Sequence, residues 1–288
     1  EAGDVDTAIT LFRSATTNHP GLVGAWQKLG SASLRTDPGQ ARWALLKALR
    51  GTRLPQRVPT ATQPTPALIT TLASLFPPAD DAWERELIHF LAESVTDVGS
   101  HEELAMVEAA GVALANVHLD RNDREQAHTG LVELIERCRG FQVRGPLSEA
   151  MLTLARIEVD LGHHDDAERR LRSLRYDPGR TADRAHLLIG TIAASRQEPW
   201  CEEILVECVQ RLTQPQDRCE AMLMLGERYL LRGQKSAAQK TFEGALELAN
   251  AANDRHLAAR ATLGLGDLQR VQGDLGRAAE LYQQARGL

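Results

Sequence analysis

Aromatic side chains make up only 4% of the 288-residue chain. β-Sandwich and barrel cores are built from aromatic and β-branched residues, and alternating β-branched runs are almost absent here. Cysteine is scarce too. Cys138, Cys201, Cys208 and Cys219 form no CxxC, and no histidine cluster joins them at zinc-ligand spacing. They are expected to be half-buried helix thiols in a reducing cytoplasm. No apolar run reaches the roughly 18 residues of a membrane-spanning helix. There is no basic block either: 33 basic and 39 acidic residues are interspersed, with a net charge of −6. That distribution argues against nucleic acid as a partner.

Signatures of chemistry are missing as well. There is no GxxxxGK[ST] or GxGxxG to cradle phosphate and no GxSxG nucleophile elbow. His101-Glu102-Glu103 lacks the second histidine of HExxH, and its acids suit a helix N-terminus. His163-His164-Asp165-Asp166 has metal-ligating types, but neighbours in a turn rarely converge on one ion. Asp165 is expected to cap a helix instead. The arginines at 169, 170 and 172 are interleaved with packing positions and read as a solvated face. The chain is therefore read as a non-enzyme, with no catalytic residue, cofactor or metal.

What the sequence does contain is one helix-turn-helix written twice between Cys219 and Leu288. Leu225-Gly226, Tyr229, Gly233, Ala238, Phe242 and Ala245 are followed at the same spacings by Leu265-Gly266, Gly273, Ala278, Tyr282 and Ala285. Gln269 stands where the tyrosine would repeat. A mid-helix glycine costs about 1 kcal/mol against alanine, which makes sense where a second helix passes too close for a side chain. Gly233 and Gly273 fall where helices end on a left-handed residue. Asp274 is placed to cap the helix that follows. Small Ala238 and Ala278 mark crossings, and Phe242 and Tyr282 fill the gap one turn on. This pattern resembles the tetratricopeptide repeat. The resemblance implies an all-α solenoid, a right-handed superhelix of antiparallel helix pairs A and B, with some repeats degenerate.

Residues 1–50 carry N-terminal units of this kind. Gly3-Asp4, Ala8, Phe12, Ala15 and Pro20 match the turn, helix B and closing proline of a unit whose helix A is missing. Trp26-x-x-Leu29-Gly30 opens the next helix A, and Ala41, Leu45 and Ala48 supply its helix B. Residues 51–66 hold Pro55, Pro59, Pro64 and Pro66 among Thr, Gln and Arg, and read as a linker or surface strap. Residues 67–99 form a divergent pair with Trp83, Leu87, Phe90, Leu91 and Val95 on one face. Residues 100–288 read as a continuing solenoid. In it Ala115 replaces the mid-helix glycine after Leu114, Asp177-Pro178-Gly179 ends a unit, and Glu202 stands where alanine is expected. Gly233 to Gly273 and Asn122 to Gly162 are both 40 residues apart, against 34 in the usual unit. Such longer units resemble those of bacterial signalling ATPases and transcription regulators.

Stacked pairs curve with helix A inside. The 3.6-residue period then points Gln27, Ser31, Asn116, Glu149, Arg156, Arg184, Thr191, Glu220, Glu227, Arg260, Asp267 and Arg270 into the groove. Some repeats of this family clamp a terminal carboxylate with Lys and Asn. Here those positions hold Gln27 and Ser31, Leu223 and Glu227, and Leu263 and Asp267, so that clamp is not expected. The resemblance implies a cytoplasmic scaffold that binds a protein or peptide. Its alternatives are the sensing arm of a regulatory ATPase or transcription regulator, or a part of an envelope or secretion complex, periplasmic if a signal sequence precedes it. The chain opens within a repeat, so it is expected to be a segment of a longer protein, with self-association through the open N-terminal repeat.

Overall fold

The computed structural model describes residues 2–51, 66–94, 98, 100–141, 147–174 and 180–288, those at 2–4 and 180 by backbone alone. The Pro-rich 51–66 segment therefore lies almost wholly outside the described residues, as do Val95 and the Asp177-Pro178-Gly179 turn. Among the described residues there are fifteen α-helices and no strand. They divide into two compact units, Glu1–Ile157 and Glu158–Leu288.

The first unit holds α1 (Ala2–Asn18), α2 (Val23–Ser33), α3 (Pro38–Gly51), α4 (Pro66–Leu75), α5 (Asp81–Ser94), α6 (His101–Asp120), α7 (Arg124–Arg139) and most of α8 (Ser148–Asp160). Residues 3 and 4, expected in a turn, already lie in α1. Helices pack against their sequence neighbours as antiparallel pairs, α2 with α3 and α6 with α7, and α4 also touches α6. The indole N–H of Trp26 donates to the carbonyl of Pro20 at 2.8 Å, so the tryptophan ties helix A to the proline that ends the preceding helix. Its ring meets Trp43 edge-on at 4.9 Å. Caps fall where short polar residues precede apolar periods. Asp80 accepts from the backbone N–H groups of Ala82 and Trp83 at 2.8 and 2.9 Å. Ser100 and Glu103 form a reciprocal capping box at the start of α6.

The second unit holds α9 (His164–Leu174), α10 (Arg180–Ser195), α11 (Cys201–Arg211), α12 (Pro215–Leu231), α13 (Lys235–Ala251), α14 (Arg255–Gln272) and α15 (Leu275–Gly287). Gly162, Gly233 and Gly273 are left-handed, with φ of +80°, +72° and +92°. Asn122 and Gln197 take the same conformation at +60° and +55° in the corresponding turns. Asp274 caps α15 through the Arg277 N–H at 2.9 Å. Asp165 does not cap α9, which starts one residue earlier. It pairs instead with Arg196, in the turn just after α10, at 2.5 Å.

The mid-helix glycines are tight crossings. A Cβ built on Gly226 would lie 2.7–2.9 Å from three atoms of the Phe242 ring, and one on Gly264 would lie 2.5–2.8 Å from the same ring. Phe242 is thus wedged between α12 and α14. Gly266 meets Tyr282 and Gly190 meets Leu205 in the same way, as Gly30 meets Leu45 in the first unit. In α6 Ala115 is buried, at 2% exposure. Gly111, one turn earlier, takes the contact with Leu134. All four cysteines are buried rather than half-buried. Burial pushes Cys138 and Cys219 up to about 11 and Cys208 to about 12, which keeps these thiols protonated and unreactive.

Candidate functional site

In the second unit, helices α10, α12 and α14 touch one another directly in sequence order, while no comparable contact joins α11 to α13 or α13 to α15 among the described residues. A layer packed more closely than its partner lies on the inside of a curve. The A helices are therefore the inner layer of this unit, and their outward-pointing side chains share one surface.

Glu220 and Glu227 are exposed on α12. Arg260, half-buried on α14, comes to 3.9 Å from Glu220. Desolvation raises the Glu227 carboxyl above its ordinary value, Arg260 opposes the shift, and Asp267 adds to it. Exposure and desolvation coexist here because a side chain on an inner surface is reached by water yet flanked by protein. Asp267 accepts from the Tyr282 hydroxyl at 2.8 Å and lies 3.3 Å from Arg270. Tyr282, expected only as a packing residue, therefore also fixes a carboxylate on this face. No local pattern signals that, because its hydroxyl reaches across from the other helix of the pair. Earlier in the unit, Arg184 and Thr191 are half-buried on α10. The Thr191 hydroxyl donates to the Leu187 carbonyl at 3.1 Å and also lies 3.8 Å from the Met224 sulfur of α12. The structure thus gathers Glu220, Glu227, Arg260 and Asp267, with Arg270 beside Asp267.

The first unit offers a different surface. Gln27 is half-buried and Ser31 exposed on α2, and Arg156 is exposed on α8. Asn116 of α6 and Glu149 of α8 line one cleft of about 560 Å³. Its floor is apolar, from Ile69 and Ala73 of α4, Trp83 of α5, and Ala109, Val112 and Val117 of α6. Phe76 stacks on Trp83 at 5.1 Å between centroids. The Pro77-Pro78-Ala79 turn forms part of the rim, with Ala79 at a φ of +59°. Arg121 holds this turn against α6, donating to the Ala79 carbonyl at 3.2 Å, Asp81 at 2.6 Å and Glu84 at 2.7 Å. Glu108 accepts from the N–H groups of Glu149 and Ala150 at 2.9 and 3.0 Å, which seats the start of α8 at the cleft.

Among the described residues no group of His, Cys, Asp and Glu could hold a metal ion, and no helix is long and apolar enough to cross a membrane. The arginines at 169, 170 and 172 each meet a carboxylate: Asp166 at 2.8 Å, Glu158 at 2.8 Å and Glu168 at 2.7 Å. Phosphate would have to compete with those pairs.

Tetratricopeptide-repeat family models match residues 223–288 and 148–173. No curated protein matches the chain in sequence. Among solved structures the chain is similar to a tetratricopeptide-repeat protein from Parabacteroides merdae, with 14% identity, a TM-score of 0.53 and 92% of each chain covered. It is similar to a Rap protein solved with competence and sporulation factor, with 12% identity and a TM-score of 0.58, over 98% of this chain and 76% of that one. It is also similar to a signal-transduction ATPase with numerous domains from Pyrococcus horikoshii, which carries a tetratricopeptide-repeat sensor. There the identity is 16% and the TM-score 0.53, over 91% of this chain but 39% of that protein. At these identities the likeness shows the fold, an α-solenoid of paired helices.

Proposed function

We propose that this tetratricopeptide-repeat protein is a non-catalytic interaction module that holds a protein or peptide against the inner face of its A helices. The observation that carries the reading is the charged surface of α12 and α14. Glu220, Glu227 and Arg260 stand on helices packed side by side, and Asp267 and Arg270 extend the same surface. Mixed charge over a fixed helical layer favours specificity, because a partner of the wrong pattern meets like charges. The Rap protein, of the same fold, was solved with a bound factor, which fits this reading.

The test is affinity capture with the 288-residue chain, followed by quantification of each captured protein with Arg260→Glu and Glu227→Lys. Both residues lie on the surface layer, so the fold should persist, checked by circular dichroism. The expected result is loss of a defined subset of captured proteins in both variants. Capture unchanged in both would remove the charged face from the function.

A second reading, the sensing arm of a regulatory ATPase, is favoured by the likeness to the Pyrococcus horikoshii protein. It requires a nucleotide-binding domain in the same gene product, and a full-length gene without a P-loop would end it.

A further inference from the structure

The cleft in residues 66–149 belongs to the first unit, and its chemistry differs from that of the charged face of α12 and α14 in the second. Its lining residues on α6 run from Ala105 through Ala109, Val112 and Asn116 to Asp120, recurring every three or four residues along one side of the helix. At 1.5 Å per residue that stripe is about 22 Å long. A compact small molecule does not span such a length, whereas about six or seven residues of extended chain do. Among the described residues the charged side chains that line it carry one sign, Glu108, Asp120 and Glu149, while Arg42 lies over the Phe76 ring and Arg121 is paired with Asp81 and Glu84. Asp120, Glu149 and Asn116 are exposed at the rim, above an apolar floor that includes buried Trp83.

We infer that this cleft binds an extended peptide segment of another protein, with apolar side chains seated against α4 and α6 and lysine or arginine side chains facing the acidic rim. Burial of the apolar side chains supplies the drive. The carboxylates select cations and repel acidic segments. Asn116 carries both a donor and an acceptor, the pair an extended peptide backbone requires. The site is preorganised. Arg121 pins the Pro77-Pro78-Ala79 rim to α6, and Glu108 fixes the start of α8, so little ordering is left for the binding step.

The test is selection of a randomised nonapeptide display library on the 288-residue chain, with the Thr70→Trp protein as counter-target. Thr70 lines the cleft and is exposed, so tryptophan there fills the space without entering a packed layer. The enriched sequences are expected to combine apolar residues with Lys or Arg and to be depleted of Asp and Glu. A fluorescein-labelled copy of the most enriched peptide, read by anisotropy, should bind Thr70→Trp about tenfold more weakly or worse. Asn116→Lys and Asp120→Lys should weaken it about threefold to tenfold at low salt and less at high salt. These two exposed substitutions test the electrostatics even if Thr70→Trp disturbs the fold. The inference is overturned if nothing is enriched over the counter-target, if the enriched peptides carry no basic bias, or if neither lysine variant weakens binding. None of these outcomes bears on the α12 and α14 face, which is tested by its own variants.

Discussion

Residues 219–288 and residues 66–141 are built from the same kind of helix pair, yet one is filled and the other is open. In the C-terminal stretch each gap receives an aromatic ring backed by glycine: Phe242 between Gly226 and Gly264, and Tyr282 against Gly266. In the earlier stretch α4 and α5 have no such glycine, Phe76 and Trp83 stack on each other, and a cleft of about 560 Å³ remains along α6. The regular repeat closes its own interior, and departure from it leaves room for something else. Close packing cannot be kept when both partners of a crossing change independently.

The largest effect should come from the filled region. Phe242→Ala removes a ring that is 1% exposed and held from two sides, and is expected to cost about 4 kcal/mol in denaturant unfolding. Gly226→Ala and Gly264→Ala follow. Each forces a methyl against a ring that cannot retreat, because the other glycine bounds its far side, and each should cost about 2 kcal/mol. Gly111→Ala is the contrasting case in the open region. It meets the end of the Leu134 side chain, which can change rotamer, and alanine gains about 1 kcal/mol of helix propensity. Its net effect should be within about 1 kcal/mol of zero. Equal losses at 111 and 226 would show that the two regions are packed alike.

A smaller effect, of opposite sign, is expected in the degenerate α10–α11 turn. Gln197 sits at a φ of +55° where the regular units have glycine. Gln197→Gly relieves that strain and should stabilise by about 0.5–1 kcal/mol after the greater flexibility of glycine in the unfolded chain is counted. Gly273→Ala, at +92°, should destabilise by about 1 kcal/mol. The smallest effects are electrostatic. Glu227 has a raised folded value, so its ionised form is disfavoured in the folded state. That penalty is absent well below the ordinary value of 4.5 and sets in as pH rises through the raised one. Glu227→Gln should therefore raise the melting temperature at neutral pH, with the gain vanishing in acid. Glu207 is lowered, by Arg211 first and then by His186. Its stabilisation is present above 4.5 and lost as pH falls through the lowered value, so Glu207→Gln should lower the neutral melting temperature and converge with the parent in acid.

Much of the fold was legible in the residues. The helix start at Asp274 could be read, because a cap depends on the three residues that follow it. The left-handed turns at Gly233 and Gly273 could be read for the same local reason. Asp165 was misplaced because two roles compete for one carboxylate, and Arg196, 31 residues away, takes it. The candidate site was legible in part. Periodicity puts Asn116 and Glu149 on the A face, but not on one cleft, since α4 contributes its other wall. Thr191 was put on that face as well, and its hydroxyl meets both the Leu187 carbonyl of its own helix and the Met224 sulfur of α12.

By itself the sequence determined that this chain is a stack of paired helices, which residues cap and end them, and where glycine lets two helices approach. Those features depend on neighbours within one or two turns, and the 3.6-residue period records them. Only the tertiary structure decided that Gly111 meets Leu134 in α6, that Gly264 shares Phe242 with Gly226, and that Arg260 stands beside Glu220. It also decided that an acidic-rimmed cleft runs along α4 and α6. Each of these depends on how closely helices far apart in the chain approach, and periodicity within a single helix carries no record of that distance.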